Sequence, residues 1–316
     1  MKKWISFNCI LVLFFIIILL TESCKEKIEE SKPHSSVNSE INSSPKKKEL
    51  ISEFKKYWYV GKAEITTYTI QQARYGELRD GTAVLIYVTE PFLADKQVKA
   101  DSKNLNNIPV LKLNSTKNYI TGIYPYSIMT SSFYPVYDNS HALKLSFSVQ
   151  EWCGQVFTQL NNKTKFEITS HSYFETEADQ NFSLEKTVLE NEIWNKIRID
   201  PNNLPIGNLE IIPSLEFIRL RHKELKAYNA IAKLEAKNDV IRIYSIDYPE
   251  LKRKISISFT THFPYTIESW SETYISGFGS AAKLMTTTAQ KNKSIITAYW
   301  QQNKNSDLFL RDSLGL

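Results

Sequence analysis

Cysteine is scarce in this chain, and its scarcity excludes a disulfide-stabilised fold. The 316 residues include three cysteines, Cys9, Cys24 and Cys153. Cys9 lies within an apolar N-terminal segment, and Cys24 lies just after that segment. Cys153 then stands alone in the rest of the chain, so no internal disulfide can form there.

Clustered charge and internal repeats are also lacking. The formal net charge is only +5, lysine and glutamate are interspersed, and no basic stripe occurs beyond the lysine triplet 46–48. Nucleic acid is therefore not an expected partner. No period of about 20 to 50 residues recurs, which argues against a repeat architecture. The sequence contains no motif for a cofactor, and we expect none.

A long hydrophobic run occurs once, at the N-terminus. Lys2 and Lys3 precede an almost wholly apolar stretch from Trp4 to Leu20, and polar chain follows. A membrane-spanning helix needs roughly 20 apolar residues. This shorter run therefore predicts a cleaved signal peptide over residues 1–23, with an uncleaved anchor helix as the alternative.

Cys24 stands directly after this run, in the context Thr21-Glu22-Ser23-Cys24. The context resembles the lipobox of bacterial lipoproteins, in which signal peptidase cuts before a cysteine that carries diacylglycerol. Ser23 fits the pattern, and Thr21 and Glu22 are a looser match of a kind seen in Bacteroidota. The resemblance implies lipidation of Cys24, a membrane as partner, and a place in the cell envelope, at the periplasmic face of the outer membrane or at the cell surface. Acyl chains hold a protein on a bilayer because each buried CH₂ contributes about 0.8 kcal/mol.

Residues 24–52 are predicted to be the lipidated cysteine and a flexible tether. The segment is rich in Ser, Asn, Lys and Glu, and 25–50 contains no aromatic residue. It cannot bury enough apolar surface to fold. Residues 53–316 are predicted to form a single β-rich domain, and the Pro- and Asn-rich loop 199–208 is where that domain would divide into two halves.

Strand signals dominate the predicted domain. The chain has 17 Tyr and 16 Phe, and aromatic and β-branched residues favour strands. Apolar and polar residues alternate in "KISISFTTHF" (254–263), as in a half-buried antiparallel strand. The stretch "TAVLIYVTEPF" (82–92) is apolar on both faces and predicts a central strand.

Turn and helix signals complete the fold prediction. Asp80-Gly81 predicts a type I′ hairpin turn, and further hairpins are expected around 236–239 and 290–294. Helix is expected only in short pieces, at 49–57 and after the proline of "IPSLEFIRLRHKEL". The predicted fold class is mainly β: a large curved antiparallel sheet, a sandwich or an open barrel, with one short helical insertion near 212–226.

Three longer segments carry a resemblance to a known group of proteins. They are "YWYVGKAEITTYTIQQARYGELRDGTAVLIYVTE", "TGIYPYSIMTSSFYPV" and "HALKLSFSVQEWCGQVFTQLN". From about Lys55 to the C-terminus the chain resembles uncharacterised Bacteroidota envelope lipoproteins that often carry the label "septum formation inhibitor Maf". The resemblance implies an envelope lipoprotein.

The label itself does not fit the residues. True Maf proteins are cytoplasmic nucleotide pyrophosphatases with a Ser-rich, Pro-Arg-Arg motif that follows a buried strand. Here "NSSPKKKELI" places Ser43, Ser44 and Pro45 in a similar order, but no strand-like sequence precedes it. Lysine also replaces arginine, which loses the forked donor geometry. A septum formation inhibitor or nucleotide pyrophosphatase is therefore only a remote alternative.

Cys153 raises the hypothesis of nucleophilic catalysis. A catalytic cysteine needs a histidine or a positive field to lower the thiol pKa, and His141 and His171 lie in neighbouring predicted strands. Strand alternation places Glu151 and Cys153 on an apolar face, which instead predicts a buried, packed cysteine. Packing of this apolar face does not explain why the carboxylate of Glu151 lies on it. The catalytic candidates are Cys153, Glu151, His141 and His171.

A weaker hypothesis concerns a metal ion at "SHSYFETEAD" (170–179). His171 and Glu175 are predicted to share one strand face with further carboxylates, and oxygen ligands suit a hard cation. A single strand brings at most two ligands to one ion. A solvated face, or an edge strand protected by charge, is the favoured interpretation.

Tyrosines beside prolines are the best ligand-binding candidates. In "GIYPYSIMTSSFYPVY" (122–137), proline favours strand edges and loops. We therefore expect partial exposure of Tyr124, Tyr126, Tyr134 and Tyr137, which would suit contacts to a glycan or a protein. Packing under a loop is the equal alternative.

Together these features predict a non-enzymatic envelope lipoprotein that binds or scaffolds an envelope protein, a glycan or an apolar ligand. The alternative is an envelope cysteine hydrolase that uses Cys153 with His141 or His171. Wide β enclosures tend to leave room for a ligand. Sets such as Leu143/Leu145/Phe147/Val149 and Ile255/Ile257/Phe259 would then line one shared apolar interior, which is either open to an apolar ligand or filled. If the interior is filled, the function must lie on the loops.

Overall fold

The computed structural model describes residues 49–102 and 104–316. The predicted signal peptide, Cys24 and most of the predicted tether therefore lie outside the described residues. Within the described part, no helix combines the length and apolar character needed to cross a bilayer.

Strands account for most of the described chain. They are β1 (Ala63–Arg74), β2 (Glu77–Leu93), β3 (Val98–Lys99), β4 (Ile108–Thr121), β5 (Tyr124–Pro135), β6 (Lys144–Glu151), β7 (Gly154–Asn162), β8 (Phe166–Ser172), β9 (Gln180–Leu184), β10 (Val188–Leu189), β11 (Gly207–Ile212), β12 (Tyr228–Ala236), β13 (Ile241–Tyr248), β14 (Arg253–Thr260), β15 (Ile267–Ser276) and β16 (Lys283–Thr297). The α-helices are α1 (Ser52–Trp58), α2 (Glu190–Ile199), α3 (Leu215–Leu220) and α4 (Phe309–Leu314).

The strands form one open sheet of 16 strands, which confirms the predicted fold class. Its order is β10-β11-β12-β13-β14-β15-β16-β1-β2-β4-β5-β6-β7-β8-β9, with β3 paired to β2. The pairs are antiparallel except for β10 with β11. Because β16 pairs with β1, strands from both sides of the 199–208 loop share this sheet.

Two strand predictions are confirmed by pairing and burial. β2 lies between β1 and β4, as its two apolar faces predict. In β14, Ile255, Ile257 and Phe259 are buried, and the residues between them are less buried. This alternation places one face of the sheet on the core and leaves the other facing outward.

The Asp80-Gly81 turn prediction is wrong. The chain turns between β1 and β2 at Tyr75-Gly76, where φ is 55° and 79°, and Asp80-Gly81 lies inside β2. Glycine is required at position 81 because a Cβ there would lie 2.8 Å from the Tyr119 Cβ and closer still to the Asn118 carbonyl oxygen. The sequence pattern does not distinguish a glycine needed for a turn from one needed for close approach of a neighbouring strand.

The two other hairpin predictions have opposite outcomes. The turn predicted at 236–239 is confirmed, since it joins β12 to β13. The turn predicted at 290–294 is wrong, because β16 continues through these residues. The register between β16 and β1 shifts there, between Thr66 and Tyr68, so the polar residues mark a β-bulge.

The helices near both predicted sites are present. The helix expected near 212–226 is α3, and the one expected at 49–57 is α1. The helix α2 was not predicted, and its side chains form hydrogen bonds to β1, β4 and β14. Because these strands are far apart in the sheet order, the sheet must curve around α2. The apolar side chains of both halves meet in one core around this helix.

Candidate functional site

The interior of the curved sheet is filled by α2, whose charged side chains are buried and paired. Arg253 on β14 donates to both carboxylate oxygens of Glu190, at 2.5 and 2.7 Å, and its Nε donates to Glu272 at 2.6 Å. The Tyr248 hydroxyl donates to Glu190 at 2.8 Å. Burial alone would raise the pKa of Glu190, but Arg253 and Tyr248 outweigh it and hold the pKa below its ordinary value.

A second buried pair fixes the other end of α2. Arg198 donates to both oxygens of Glu64 on β1, at 2.6 and 2.7 Å, and its Nε donates to the Pro264 carbonyl at 2.9 Å. The Tyr57 hydroxyl donates to the same carboxylate at 2.5 Å. Buried charges of this kind are tolerated only when they are paired and hydrogen-bonded, and these pairs orient α2 within the sheet.

The space left beside α2 is too small for an apolar ligand. A cavity of about 50 Å³ remains between α2, α3 and strands β4, β5, β14 and β15, and its lining includes Lys117, Glu190, Glu216 and Arg253. A polar cavity of this size holds a few water molecules. As far as residues 49–102 and 104–316 show, the interior is therefore filled, which is the second of the two alternatives.

An open cleft of about 730 Å³ lies at the β9 edge of the sheet. We call it the β9 cleft; it lies between the inner face of β7–β9 and the segment formed by α3 and residues 222–226. Side chains such as Val156, Phe182, Leu184 and Leu225 give it an apolar lining. Its volume lies within the range of about 300–1,000 Å³ that is typical of ligand pockets.

α3 is capped at its start and is held beside the cleft by two contacts to other elements. The Ser214 hydroxyl accepts from the Phe217 N–H at 3.2 Å and caps the helix. The Leu215 N–H donates to the Asn191 side chain at 3.1 Å, which ties α3 to α2. Lys117 donates to Glu216 at 2.8 Å, so β4 also fixes the helix. One wall of the cleft is therefore rigidly attached to the core.

An ion-pair cluster bridges the cleft at one end. Glu177, in the β8–β9 loop, accepts from Arg219 of α3 at 3.0 Å and from His222 at 2.8 Å. The Ser172 hydroxyl donates to the other Glu177 oxygen at 2.8 Å. Although burial would raise the pKa of Glu177, its bonds to His222, Ser172 and Arg219 lower it. The carboxylate therefore stays ionised and holds the loop to α3.

The structure separates Cys153 from the two histidine candidates. Cys153 is exposed in the β6–β7 turn, so the expectation that it is buried and packed is wrong. The turn projects the cysteine beyond the end of the strand, where the alternation used in the prediction no longer applies. Its backbone N–H donates to Glu151 at 2.7 Å, and this carboxylate raises the thiol pKa, which is opposite to the shift that activates a nucleophile.

Neither histidine candidate lies in the β6–β7 turn with Cys153. His141 precedes β6 and Cys153 follows it, so the length of that strand, about 26 Å, separates them. The His141 ring bonds to Glu192 of α2 at 3.1 Å. His171 lies on β8 opposite Phe157 and pairs with Asp179 at 3.2 Å.

The metal candidates do not converge. β8 ends at Ser172, so Glu175 lies in the following loop and does not share a strand face with His171. Among the described residues, no group of three or more His, Cys, Asp or Glu side chains could hold a metal ion.

The four tyrosine candidates lie at different depths. Tyr126 and Tyr134 are buried, so the expectation of partial exposure is wrong for these two. Tyr124 and Tyr137 are partly buried, and the Tyr124 ring lies 6.3 Å from that of Trp152, which is 69% exposed. β5 carries a proline near each end, outside the span 127–133 that pairs with β6. The prolines therefore sit where one neighbouring strand is absent, and the tyrosines between and beside them can still pack inward.

Sequence reasoning missed the β9 cleft because its walls are assembled from distant segments. β9 and α3 are separated by 30 residues of sequence that include α2. The short amphipathic α3 was detectable, but a single arginine on such a helix normally indicates a solvated face. Only the path of the sheet around α2 brings Arg219 against the β8–β9 loop.

Comparison with known proteins gives no match: no family model, no curated protein and no solved structure is similar to this chain.

Proposed function

We propose that the protein is a non-enzymatic, lipid-anchored lipoprotein of the cell envelope that binds a ligand with an apolar part in the β9 cleft. The observation that carries the binding role is the contrast between a filled interior, with a cavity of about 50 Å³, and an open cleft of about 730 Å³. Catalysis is not part of the proposal, because the thiol pKa of Cys153 is raised and both histidine candidates bond to carboxylates elsewhere.

The geometry of the cleft supports binding from the outside. Phe182 and Leu184 of β9 are only partly buried and face the cleft, with Leu225 on the opposite wall. Partly exposed apolar side chains in a concave site gain from burial at about 25 cal/mol per Å² of apolar surface. A ligand that covers them is stabilised without any rearrangement of the core.

The cleft is tested with an uncharged apolar dye and two tryptophan variants. Ser170 lines the cleft from β8, so Ser170→Trp is expected to fill it and to weaken binding of N-phenyl-1-naphthylamine by about tenfold or more. The matched control is Ser183→Trp, because Ser183 is exposed and points away from the cleft in the alternation of β9. Fluorescence titration measures both. Equal dye binding by the two variants, or no binding by the parent protein, would remove the cleft as a site.

The lipid anchor is proposed from the sequence, since Cys24 lies outside the described residues. Cys24→Ala removes the thiol that would carry diacylglycerol, and the variant is expected in the soluble envelope fraction. Ser23→Ala keeps a small residue before the cysteine and is expected to remain with the membrane. Fractionation followed by immunoblotting checks this, and continued membrane association of Cys24→Ala would contradict the anchor.

A further inference from the structure

We propose that the β9 cleft binds an amphipathic anion, an acyl chain that ends in a carboxylate or a phosphate, and that Arg219 receives the anionic group. The inference deepens the proposed function and rests on it, because it names the ligand class for the same cleft.

Arg219 has hydrogen-bonding capacity that the protein does not use. Its side chain lines the cleft and is only 10% exposed, and its guanidinium stacks 4.2 Å from the centre of the Phe174 ring. Nη1 donates to Glu177 at 3.0 Å. Nε is buried and has no hydrogen-bond partner among the described residues. A guanidinium presents five donors in a planar fork that matches carboxylate and phosphate oxygens.

The acidic residues of the cleft do not neutralise its cations. The lining includes Arg219, Lys223 and Lys226 against only Glu177 and Glu224. Lys226 pairs with Glu224 at 2.9 Å, while no ion pair to Lys223 is found in the described part of the chain. The resulting excess of positive charge favours an anion over a neutral or cationic group.

The Glu177 carboxylate cannot neutralise the charge of Arg219 fully, because it also binds His222 and Ser172. One of its oxygens accepts from both Arg219 and His222, and the other accepts from Ser172. Burial lowers the pKa of Arg219 more than this carboxylate raises it, and the nearby Arg74 lowers it further. A second anion beside the guanidinium therefore stabilises the charged form of Arg219.

The apolar lining extends away from this charged end. Glu177 precedes β9, Gln180 begins it, and Phe182 and Leu184 follow on its inner face. From Gln180 to Leu184 the strand advances about 13 Å. An anion at Arg219 thus leaves an attached acyl chain to run along Phe182 and Leu184, opposite Leu225.

Two probes that share one acyl chain and differ in charge test the inference. cis-Parinaric acid is a fluorescent 18-carbon fatty acid, and its methyl ester lacks the negative charge. The parent protein is expected to bind the acid about tenfold more tightly than the ester. Arg219→Gln is expected to reduce this preference by weakening acid binding several-fold, with ester binding unchanged.

Lysine variants provide a second test that does not depend on a buried residue. Lys223→Ala is expected to weaken binding of the acid several-fold and to leave the ester unaffected. Lys233→Ala, an exposed lysine on β12, is the matched control and is expected to change neither. Displacement of the acid by lysophosphatidylglycerol supports a phospholipid as the source of the anion; no displacement supports a free fatty acid.

The outcomes separate this inference from the proposed function. Equal affinity of the parent for acid and ester, or unchanged acid binding in both Arg219→Gln and Lys223→Ala, would overturn the role of the anion while the cleft remains a binding site. Failure of both probes to bind the parent would overturn the proposed function itself.

Discussion

Replacing Arg253 with methionine is expected to lower the free energy of unfolding by about 3–5 kcal/mol, because it leaves Glu190 buried without its partner. Methionine keeps much of the side-chain volume, so the loss is mainly electrostatic. Glu190 would retain only the Tyr248 hydroxyl from its present side-chain partners, and Glu272 would lose its bond to Nε. Urea unfolding followed by circular dichroism measures the change.

The control is Arg242→Met on the neighbouring strand β13. Arg242 donates to the exposed Asn202 side chain at 2.8 Å, and exposed polar contacts of this kind contribute about 0–1 kcal/mol. A similar loss in both variants would mean that the buried network has no special role. A loss below about 1 kcal/mol for Arg253→Met would contradict the burial of the pair.

The pH dependence provides a second readout of the same variant. In the parent protein the pKa of Glu190 is held below its ordinary value of 4.5, so the stability that this group contributes is present above that pH and is lost as the pH falls. In Arg253→Met, burial without the guanidinium should raise the pKa of Glu190. Protonation of Glu190 then removes the cost of burying an unpaired charge. The difference in the free energy of unfolding between the parent protein and Arg253→Met is therefore expected to narrow as the pH falls from 7 towards 4.

Replacing Gly81 with alanine is expected to destabilise the protein by about 2–3 kcal/mol, the upper part of the range for overpacking. The added Cβ would meet the Asn118 carbonyl oxygen and lie 2.8 Å from the Tyr119 Cβ. Both neighbours belong to β4, so relief of the clash requires that β2 and β4 move apart in the centre of the sheet. Thermal unfolding measures the effect.

Gly154→Ala is the matched control for Gly81→Ala. Its Cβ would also lie 2.8 Å from another atom, but that atom belongs to the side chain of Tyr173, which is 78% exposed and can rotate away. We expect a loss below about 1 kcal/mol. Equal effects at the two positions would contradict the close approach of β2 and β4.

Local patterns in the sequence predict the strands well and the interior poorly. Alternation of apolar and polar residues identifies β14, and a stretch that is apolar on both faces identifies the central strand β2. The turn prediction at Asp80-Gly81 is wrong because the requirement for glycine comes from β4. That strand lies more than 25 residues further along the chain. Constraints between distant segments leave no local signature.

The burial of α2 is a second feature that local sequence patterns did not predict. Its charged residues Glu190, Glu192, Lys196 and Arg198 are all buried, whereas in a sequence such residues indicate a solvated surface. Their partners, among them Arg253 and Glu64, lie on other elements. These partners reach α2 only because the sheet curves around it. The β9 cleft depends on α2 in turn, because Asn191 helps to position α3.

Hydrogen exchange of the α2 amides determines whether this helix fills the interior of the sheet and leaves ligand binding to the β9 cleft. An isolated helix of about ten residues is marginal in water, so strong protection requires burial within the sheet. We expect the amides of Ile193–Ile197 to exchange as slowly as those of β1, β2 and β14, at the rate set by global unfolding. Exchange of these amides within seconds, while the strands stay protected, would show that α2 does not fill the sheet.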